Sequence, residues 1–416
     1  MMSSATRRIL AVVTLPLLAL ALTACSGGSD HPSGKELVIV VNAPFSVSPT
    51  IGRTIVQGTE LAVRQINAGG GVDVAGTRFK LRVERLDNGL SPQKALENVR
   101  QAVSEHAIAI VDEGTGVDAS WQVANDADIP LCITYEGGER LVDPESRPNV
   151  FRIGPTDHGV AFRLAEYLVP KGSKIAFLHD DSTYGQQGAL AFEDSFGHTP
   201  EAVVANVAVP FSAPDVSPQV LQARRSGATA LLVWGQSTTI ANVIRAARSS
   251  GWDVPVYTPP SGADPLIRQA LSDHPEWVDG LTFASGRMTA ERGPGPFLSF
   301  QHAYEKAFGP DEVGVKTSSG EDVIQPPEFA MYPYDFVHVL AAALTAAHST
   351  DGAAVLSTLN QVDVRGANGD ERGFNEKNHE GVVDDDVYFA VFHDMTYAPV
   401  QDDPLSSTLQ TIDQTG

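Results

Sequence analysis

The sequence is poor in cysteine: its 416 residues contain two, Cys25 and Cys132. Exported domains with small cores commonly rely on several disulfides, and this chain lacks the residues for them. Cys132 lies in the apolar run at 129–133, where we expect a buried, unreactive thiol. Stability must therefore come from hydrophobic cores, and a chain of this length with 42% hydrophobic residues can build two of them.

Positive charge is also scarce. Lys and Arg number 29 against 51 Asp and Glu, so the formal net charge at pH 7 is -22. Binding of nucleic acid, or electrostatic attachment to anionic lipid, requires a basic surface. The composition therefore argues against both, and we expect no nucleic-acid partner.

The usual catalytic and metal-binding signatures are missing. The chain contains no G-x-S-x-G, H-E-x-x-H or C-x-x-C motif. Residues 309–317 approach a phosphate-binding loop, but Val315 separates its glycine from its lysine. His179-Asp180-Asp181 comes at the end of the strand predicted at 174–178, and because adjacent residues of a strand point alternately, these three cannot converge on a metal by themselves. The acidic run at 384–386 lacks the spacing of a calcium loop. We therefore expect a protein that is not an enzyme and uses neither metal nor cofactor.

Only one long uncharged hydrophobic run occurs, at 9–24, directly after Arg7 and Arg8. It is too short to span a membrane and has the layout of a signal peptide. Residues 22–25 read Leu-Thr-Ala-Cys and precede a stretch rich in Ser, Gly and Pro. This order resembles the lipobox of bacterial lipoproteins.

The lipobox resemblance implies that residues 1–24 are a lipoprotein signal peptide, that Cys25 becomes the lipid-modified N-terminus and that 25–35 is a flexible tether. The protein would be exported and anchored to the outer face of the cell membrane through this lipid, which needs several acyl chains for stable attachment. An ordinary signal peptide that contains a cysteine is the alternative. Both Sec and twin-arginine export remain open.

After the tether, apolar strands alternate with amphipathic helices. A first series has strands at 37–41, 79–86, 108–111 and 131–133 and helices at 57–67 and 92–104; a second has strands at 174–178, 203–209, 230–234 and 254–257 and helices at 161–168, 185–195, 219–226 and 238–249. Such alternation predicts parallel sheets with right-handed crossovers. The fold class is therefore α/β, with two doubly wound parallel-sheet lobes. Residues 294–327, rich in Gly, Pro and Ser, are expected to form a longer surface excursion.

Loops that follow the predicted strands are candidates for ligand binding, because open α/β sheets bind ligands at the carboxyl ends of their strands. These loops are at 42–52, 113–120 and 134–138 in the first lobe and at 180–184, 235–237 and 259–262 in the second. They are short and rich in hydroxyl groups, and their backbone N–H groups suit carboxylates or other polar head groups. The alternative is that most of them are simply well-capped connections.

Residues 57–72 resemble the first helix and turn of the leucine/isoleucine/valine-binding family of type I periplasmic solute-binding proteins. Further matches follow in order at 87–96, Phe151-Arg152, His179-Asp180 with Tyr184-Gly185, and Tyr334-Asp335. The resemblance covers residues 36–398. It implies two lobes joined by a three-crossover hinge, with 36–153 and 285–376 in the N-terminal lobe and 154–284 and 377–416 in the C-terminal lobe.

The resemblance also implies a function. A small polar or amino-acid-like solute would be captured between the lobes of a monomer by hinge closure and delivered to an ABC permease. A ligand-sensing lipoprotein that acts through a protein partner is the alternative, because the same fold serves both roles. An enzyme is disfavoured, since no nucleophile, base and orienting group can be assembled.

Carried over by position, the family's carboxylate-binding loop falls at Thr115-Gly116, the next loop at Glu136-Gly137-Gly138 in place of the usual Ala-Thr pair, and the capping aromatic at Tyr184. The acidic residue that pairs with an amino-acid ammonium falls near Pro260, which cannot ionise. The candidate ligand-binding residues are Ser46, Thr115, Gly116, Thr134, Glu136, Gly137, Tyr184, Trp234, Gln236, Ser261 and Asp335.

The departure at Pro260 indicates that the ligand is not a simple branched-chain amino acid, because a buried ammonium needs an anionic or carbonyl partner. Glu136, Asp118 or Asp335 could replace the missing carboxylate. Trp234 and Gln236 would suit a larger or flatter solute, such as an amide or an aromatic acid.

If Cys25 carries the lipid, Cys25→Ser removes the modified atom and should move the protein from the membrane fraction to the soluble fraction. Fractionation followed by immunoblotting measures this. Continued retention that requires detergent for release would contradict the lipid anchor.

Overall fold

The computed structural model describes residues 35–286, 295–309, 314–320, 322–324, 328–382 and 387–413. The predictions for the signal peptide, for Cys25, for the tether up to residue 34 and for the acidic run at 384–386 lie outside the described residues.

Six strands form the first sheet, in the spatial order β2-β3-β1-β4-β5-β6. They are β1 (Lys35–Ala43), β2 (Val72–Val74), β3 (Thr77–Asp87), β4 (Ala109–Asp112), β5 (Leu131–Ile133) and β6 (Val150–Arg152). All neighbours are parallel except β2, which pairs antiparallel with β3. The central strands are covered on both faces, which explains their continuous apolar runs. Cys132 in β5 is fully buried, as predicted.

Helices cover both faces of this sheet. They are α1 (Pro49–Ala68), α2 (Pro92–Ser104), α3 (Val117–Asn125), α9 (Gly295–Phe308), α10 (Met331–Ala347) and α11 (Gly352–Leu359). Helices α2 and α3 pack on one face, and α1, α9, α10 and α11 pack on the other. Helix α2 begins as predicted, with the Ser91 hydroxyl accepting from the Lys94 N–H and Pro92 in the first turn. Within the described residues no single helix is long and apolar enough to cross a membrane; α10 and α11 pass this test only as a pair, bent by 114°.

Seven strands form the second sheet, in the order β17-β16-β11-β10-β9-β7-β8. They are β7 (Ile175–Asp180), β8 (Val203–Val209), β9 (Ala230–Trp234), β10 (Val256–Thr258), β11 (Thr282–Gly286), β16 (Val387–His393) and β17 (Thr396–Pro399). Its helices are α4 (Asp157–Leu168), α5 (Thr183–Phe196), α6 (Ser217–Arg225), α7 (Ser237–Ser249), α8 (Pro265–Ala270) and α12 (Pro404–Asp413). Strands β7 to β11 are parallel, and β16 and β17 extend the sheet antiparallel.

We call the residues packed around the first sheet the first lobe and those around the second sheet the second lobe. The chain passes from one to the other after β6, after β11 and before β16. Two small hairpins, β12–β13 (Gly314–Lys316 and Asp322–Ile324) and β14–β15 (Asp363–Arg365 and Glu371–Gly373), complete the strands. The predicted fold class, with two doubly wound lobes and three crossovers, is confirmed.

Two predictions about loops were wrong. Helix α1 begins at Pro49, so the predicted loop at 42–52 is largely the end of β1 and the first turn of a helix; Ser48-Pro49 is a helix-start signal that the long run of small polar residues obscured. The expected surface excursion at 294–327 contains α9. Phe297, Phe300 and Tyr304 of this helix are buried in the first-lobe core, at helical spacing that the Gly and Pro residues around them concealed.

Helix α12 is attached to the second lobe by a buried ion pair. Arg163 Nη2 donates to Asp403 Oδ1 at 3.0 Å, and Asp403 Oδ2 accepts from the N–H and hydroxyl of Ser406. The neighbouring Asp402 also binds a cation, Lys171, but its side chain is 64% exposed, whereas that of Asp403 is 3% exposed.

These two adjacent residues provide a matched test of the attachment. Asp403→Asn removes the buried anion of Arg163 and leaves it only the half-exposed Glu166, at 2.8 Å, so we expect the free energy of unfolding to fall by about 3 kcal/mol. Asp402→Asn should cost less than about 1 kcal/mol, because an exposed pair is screened by water. Urea denaturation measures both, and equal losses would show that burial of the pair does not determine its contribution.

Candidate ligand-binding site

A narrow cavity lies where the carboxyl ends of strands from both lobes meet. It encloses about 10 Å³, room for about one water molecule, so a solute can enter only when the lobes move apart. Lining residues follow β5 and β6 in the first lobe and β7 and β10 in the second. They are Thr134, Tyr135, Pro155, Asp157, Val160, Tyr184, Pro260, Phe329 and Tyr332.

Aromatic rings form one wall of this cavity. Tyr184 is buried in the first turn of α5, after Ser182, whose hydroxyl accepts from the Gly185 N–H. The Tyr184 ring lies 5.3 Å from that of Tyr135, which meets Phe329 edge-on at 5.1 Å. Tyr184 therefore lines the cavity from the second lobe, in the place where the sequence predicted an aromatic residue. We call Tyr135, Tyr184, Phe329 and Tyr332 the aromatic wall.

Four buried carboxyl groups lie near the cavity, three at or just after the ends of first-lobe strands and one at the start of α4 in the second lobe. They are Asp112, Glu113, Glu136 and Asp157, here called the acidic cluster. Asp112 and Glu113 come at the end of β4, beside the point where the strand order reverses between β1 and β4. Ligands of open α/β sheets bind at such a point. The fold thus places the cluster where a solute would be held.

Two members of the acidic cluster are well supplied with hydrogen bonds. The Asp112 carboxylate accepts from Asn42 Nδ2 and from the Gly114 N–H, both at 2.7 Å. The Glu113 carboxylate accepts from Asn88 Nδ2 and from the Thr115 hydroxyl, both at 2.7 Å. The Thr115 hydroxyl is therefore already engaged.

The other two members are not satisfied by the protein. Glu136 Oε1 lies 3.3 Å from Thr115 Oγ1, but one hydroxyl carries one proton and cannot donate to Glu113 and Glu136 together. Glu136 Oε2 and Asp157 Oδ2 are buried without a hydrogen-bond partner among the described residues. Only glycine at 114 allows Glu136 to pack this closely against the loop, since a Cβ there would lie 2.3 Å from Glu136 Cβ.

The acidic cluster has no cation of its own. Arg152 is 1% exposed and lies next to it, but its guanidinium makes a two-point ion pair with Glu380, at 2.6 and 2.8 Å. Its third contact, at 2.8 Å, is with the carbonyl oxygen of Gly138. Arg152 is therefore already neutralised by Glu380.

Burial without a compensating cation raises the pKa values of all four carboxyl groups in the acidic cluster. Loss of solvation raises the pKa of Asp112 and of Asp157 to about 7. Burial, followed by the nearby Glu113 charge, raises the pKa of Glu136 well above its usual range, and burial raises that of Glu113. These groups hold protons, or require a cation, near neutral pH.

The second lobe presents buried carboxylates of a different kind. Asp180 accepts from the Gln236 N–H at 2.7 Å and from the Thr239 hydroxyl at 2.8 Å. Asp264 accepts from the Ser237 hydroxyl at 2.7 Å and, across the lobes, from the Thr50 hydroxyl of α1 at 3.0 Å. Both are satisfied by the protein. The sequence analysis missed Asp264 near Pro260; its signal was the Asp-Pro pair that starts α8.

The structure brings most of the predicted residues to the cavity or directly behind it. Thr134 and Tyr184 line it. Glu136 belongs to the acidic cluster, and Thr115 and Gly137 contact members of that cluster. Gly116, with a φ of +81°, starts α3 behind Thr115. In the second lobe, Trp234 is fully buried 6.3 Å behind Tyr184. Gln236 Oε1 and Ser261 Oγ are buried without a hydrogen-bond partner among the described residues.

Other predicted residues lie elsewhere. Ser46 is exposed and its hydroxyl donates to Asp87 at 2.6 Å. Asp335 forms a buried ion pair with Arg372 at 3.3 Å and accepts from the Ala367 N–H, which joins α10 to the β14–β15 hairpin. Asp118 is 61% exposed and pairs with Arg147. None of these three lines the cavity, so each has a local structural partner where a ligand contact was expected.

Sequence reasoning also missed residues of the site. Asp157 was passed over because it opens a helix, where an acidic residue is common. Tyr135, Phe329 and Tyr332 reach the cavity from separate segments, which no local pattern connects. Among the described residues, no three His, Cys, Asp or Glu side chains are arranged to hold a metal ion.

Comparison with known proteins identifies similar chains. The profile of the family described as periplasmic binding protein matches residues 41–396. An amino acid binding protein of Pseudomonas aeruginosa is 24% identical over 89% of this chain and 94% of its own length. A Leu/Ile/Val-binding protein homolog of Brucella abortus is 25% identical over 84% and 86%.

Two solved structures show the same fold. A type 1 periplasmic binding protein of Bordetella pertussis superposes with a TM-score of 0.76 at 20% identity, covering 88% of this chain and all of its own. The substrate-binding protein of a branched-chain amino acid transporter of Streptococcus pneumoniae, in complex with isoleucine, has a TM-score of 0.72 at 21% identity, covering 87% and 98%.

The acidic cluster generates a prediction about pH. Carboxyl groups with raised pKa bind more protons in the folded than in the unfolded chain between about pH 4 and 7, so stability falls as pH rises through this window. The Tm of the ligand-free protein should therefore be higher at pH 5 than at pH 7.5 in calorimetric scans. Asp335, whose pKa burial raises to about 6, acts in the same direction.

A matched pair of variants assigns the effect to the cluster. Glu136→Gln should raise the Tm at pH 7.5 and flatten its dependence on pH, whereas Glu97→Gln, an exposed residue on α2, should change neither. A wild-type Tm that increases from pH 5 to pH 7.5 would contradict the assignment.

Proposed function

Because this chain belongs to the periplasmic binding protein family, we propose that it captures a small polar solute between its two lobes and delivers it to an ABC importer. The observation that supports this most directly is the cavity, whose walls come from both lobes at the carboxyl ends of their strands. The family acts outside the cytoplasm and binds solutes. Its fold is that of substrate-binding proteins.

Entry of the solute requires the lobes to separate. The aromatic wall joins residues of both lobes around a narrow space, and the Thr50–Asp264 hydrogen bond bridges them. Three chain segments connect the lobes, and a hinge in such segments permits a closing rotation. Binding is therefore a capture in which the solute stabilises the closed arrangement.

We further propose that the mature chain is held at the outer face of the cell membrane by lipid on Cys25 and acts there as a monomer. The lipobox resemblance and the tether support the anchor. The relatives are named as amino acid or Leu/Ile/Val-binding proteins, and one structural relative belongs to a transporter. A permease that accepts the closed form is the partner that these relatives suggest.

Capture by closure can be tested with the solute that the protein retains. Mass spectrometry of recombinant protein identifies the solute that co-purifies, and small-angle scattering with and without this solute should show a smaller radius of gyration for the bound form. If no solute is found and the radius is unchanged by any candidate, the proposed function fails.

Thr50→Val removes the bridging hydroxyl and should weaken affinity about tenfold, because a hydrogen bond to a charged group in the closed state contributes about 1.5 kcal/mol. The control is Thr54→Val, one turn along α1, whose hydroxyl donates only to the Thr50 carbonyl within the helix. Equal effects of the two substitutions would show that the bridge does not act in closure.

A further inference from the structure

Two carboxyl groups of the acidic cluster have oxygens without a hydrogen-bond partner among the described residues, and one of the two, Asp157, lines the ligand cavity. Asp157 is 4% exposed and lines the cavity, and its Oδ2 has no hydrogen-bond partner among the described residues. Glu136, which is 1% exposed, has an unsatisfied Oε2 beside the same cluster. Leaving a buried carboxylate unpaired costs several kcal/mol. A ligand that supplies positively charged donors would remove this cost.

The aromatic wall lines the same space as Asp157. Tyr135, Tyr184, Phe329 and Tyr332 all line the cavity with Asp157. Aromatic faces attract cations by their quadrupole, and sets of such rings recognise organic ammonium groups. Inorganic ions prefer a shell of oxygen ligands, so rings around a carboxylate favour an organic cation.

A second cleft that shares Asp157 with the cavity is acidic as well. It contains Glu139 and Asp194, with Arg140 as its permanent cation. His158 Nδ1 lies 3.2 Å from Asp194 and 3.5 Å from Glu139. On a chain of net charge -22, such a lining favours cations over anions near Asp157.

A carboxylate ligand has no comparable partner on the first-lobe side. The sequence analysis placed a carboxylate-binding loop at Thr115-Gly116, but the Thr115 hydroxyl donates to Glu113 at 2.7 Å. A carboxylate at this loop would lie against Glu113 and Glu136, and like charges at close range in a buried site repel strongly.

We propose that the solute is a small organic cation, held by Glu136 and Asp157 and by the aromatic wall, and that the site rejects ligands that place a carboxylate on the first-lobe loops. This inference rests on the proposed function, because it assigns a chemical class to the solute that the lobes enclose. Tyr184 and Tyr135 would contact the cationic group through their ring faces.

Probes built on the five-carbon 3-methylbutyl skeleton, with leucine as the ammonium that carries an added carboxylate, test the role of charge. Calorimetric titration of ligand-stripped full-length mature protein would compare 3-methylbutylammonium, leucine, 3-methylbutanoate and 3-methylbutan-1-ol. A size series from methylammonium through tetramethylammonium to butane-1,4-diammonium would find the ammonium that fits best. We expect an ammonium to bind at least about tenfold tighter than its matched carboxylate and alcohol, and leucine to bind more weakly than 3-methylbutylammonium.

Several outcomes would overturn the proposal. Leucine or 3-methylbutanoate binding as tightly as the matched ammonium would do so, as would the absence of binding by every ammonium of the series. Calcium chloride displacing the ammonium at equal concentration would show that charge alone, and not an organic cation, is selected. If a carboxylate-bearing solute binds and compacts the protein, the transport proposal stands and only its cationic refinement falls.

Variants separate ligand contact from a structural role. Asp157→Asn and Glu136→Gln should each weaken binding of the best ammonium by about tenfold or more, while the Tm of the ligand-free protein stays equal or rises. Glu97→Gln is the control of equal charge change and should alter neither quantity. A lower Tm with unchanged affinity in both cluster variants would show that the carboxyl groups serve the fold and not the ligand.

Discussion

Burial of Asp112, Glu113, Glu136 and Asp157 without a cation of their own is the constraint on which the site depends. Taking one carboxylate out of water costs several kcal/mol unless it is paired or hydrogen-bonded. The protein meets this for Asp112 and Glu113 with asparagines from neighbouring segments, Asn42 and Asn88. For Glu136 and Asp157 it does not, and the pKa of each is raised in consequence.

The two lobes treat buried carboxylates differently, although both place them at a reversal of strand order. In the second lobe, Asp180 and Asp264 accept hydrogen bonds from hydroxyl and backbone N–H groups and organise the turns after β7 and β9. Those carboxylates are part of the scaffold. In the acidic cluster, Glu136 of the first lobe and Asp157 at the start of α4 each keep one oxygen without a hydrogen-bond partner among the described residues, and Asp157 lines the cavity. Buried carboxylates whose hydrogen bonds are all supplied by the protein are structural, whereas those with an unpartnered oxygen are available to a ligand.

Arg152 shows why proximity of a cation is not enough. It lies beside the acidic cluster, and its charge opposes the burial that raises the pKa of Asp157. Its side-chain contacts are with Glu380 and backbone carbonyls, however, and Glu136 Oε2 and Asp157 Oδ2 have no hydrogen-bond partner among the described residues. Such paired geometry satisfies an arginine almost completely. The ion pair also joins β6 to residue 380, beside two of the segments that connect the lobes. Because Arg152 is paired with Glu380, it does not fully compensate the buried carboxyl groups of the acidic cluster.

Much of the fold follows from local pattern. Continuous apolar runs such as residues 37–41 are the mark of parallel strands buried on both faces, and Ser91-Pro92 marks a helix start. These features depend only on neighbours in the chain, so two doubly wound lobes could be predicted from them, whereas the position of Tyr184 at the site was implied by the family resemblance. Helix α9 could not, because Gly and Pro residues that usually break helices surround the spacing of its buried aromatics.

The binding site also has features set by local sequence and features set by tertiary structure. The sequence by itself determined that loops rich in hydroxyl and acidic groups, including Glu136, follow the strands of the first lobe. Only the tertiary structure decided that Glu113 and Glu136 compete for the single proton of Thr115, that Asp157 and three aromatic rings from distant segments meet them, and that Ser46 and Asp335 have other partners. The physical reason is that hydrogen bonding and electrostatic compensation depend on distances between segments far apart in the chain, whereas strand and helix patterns depend on residues a few positions apart.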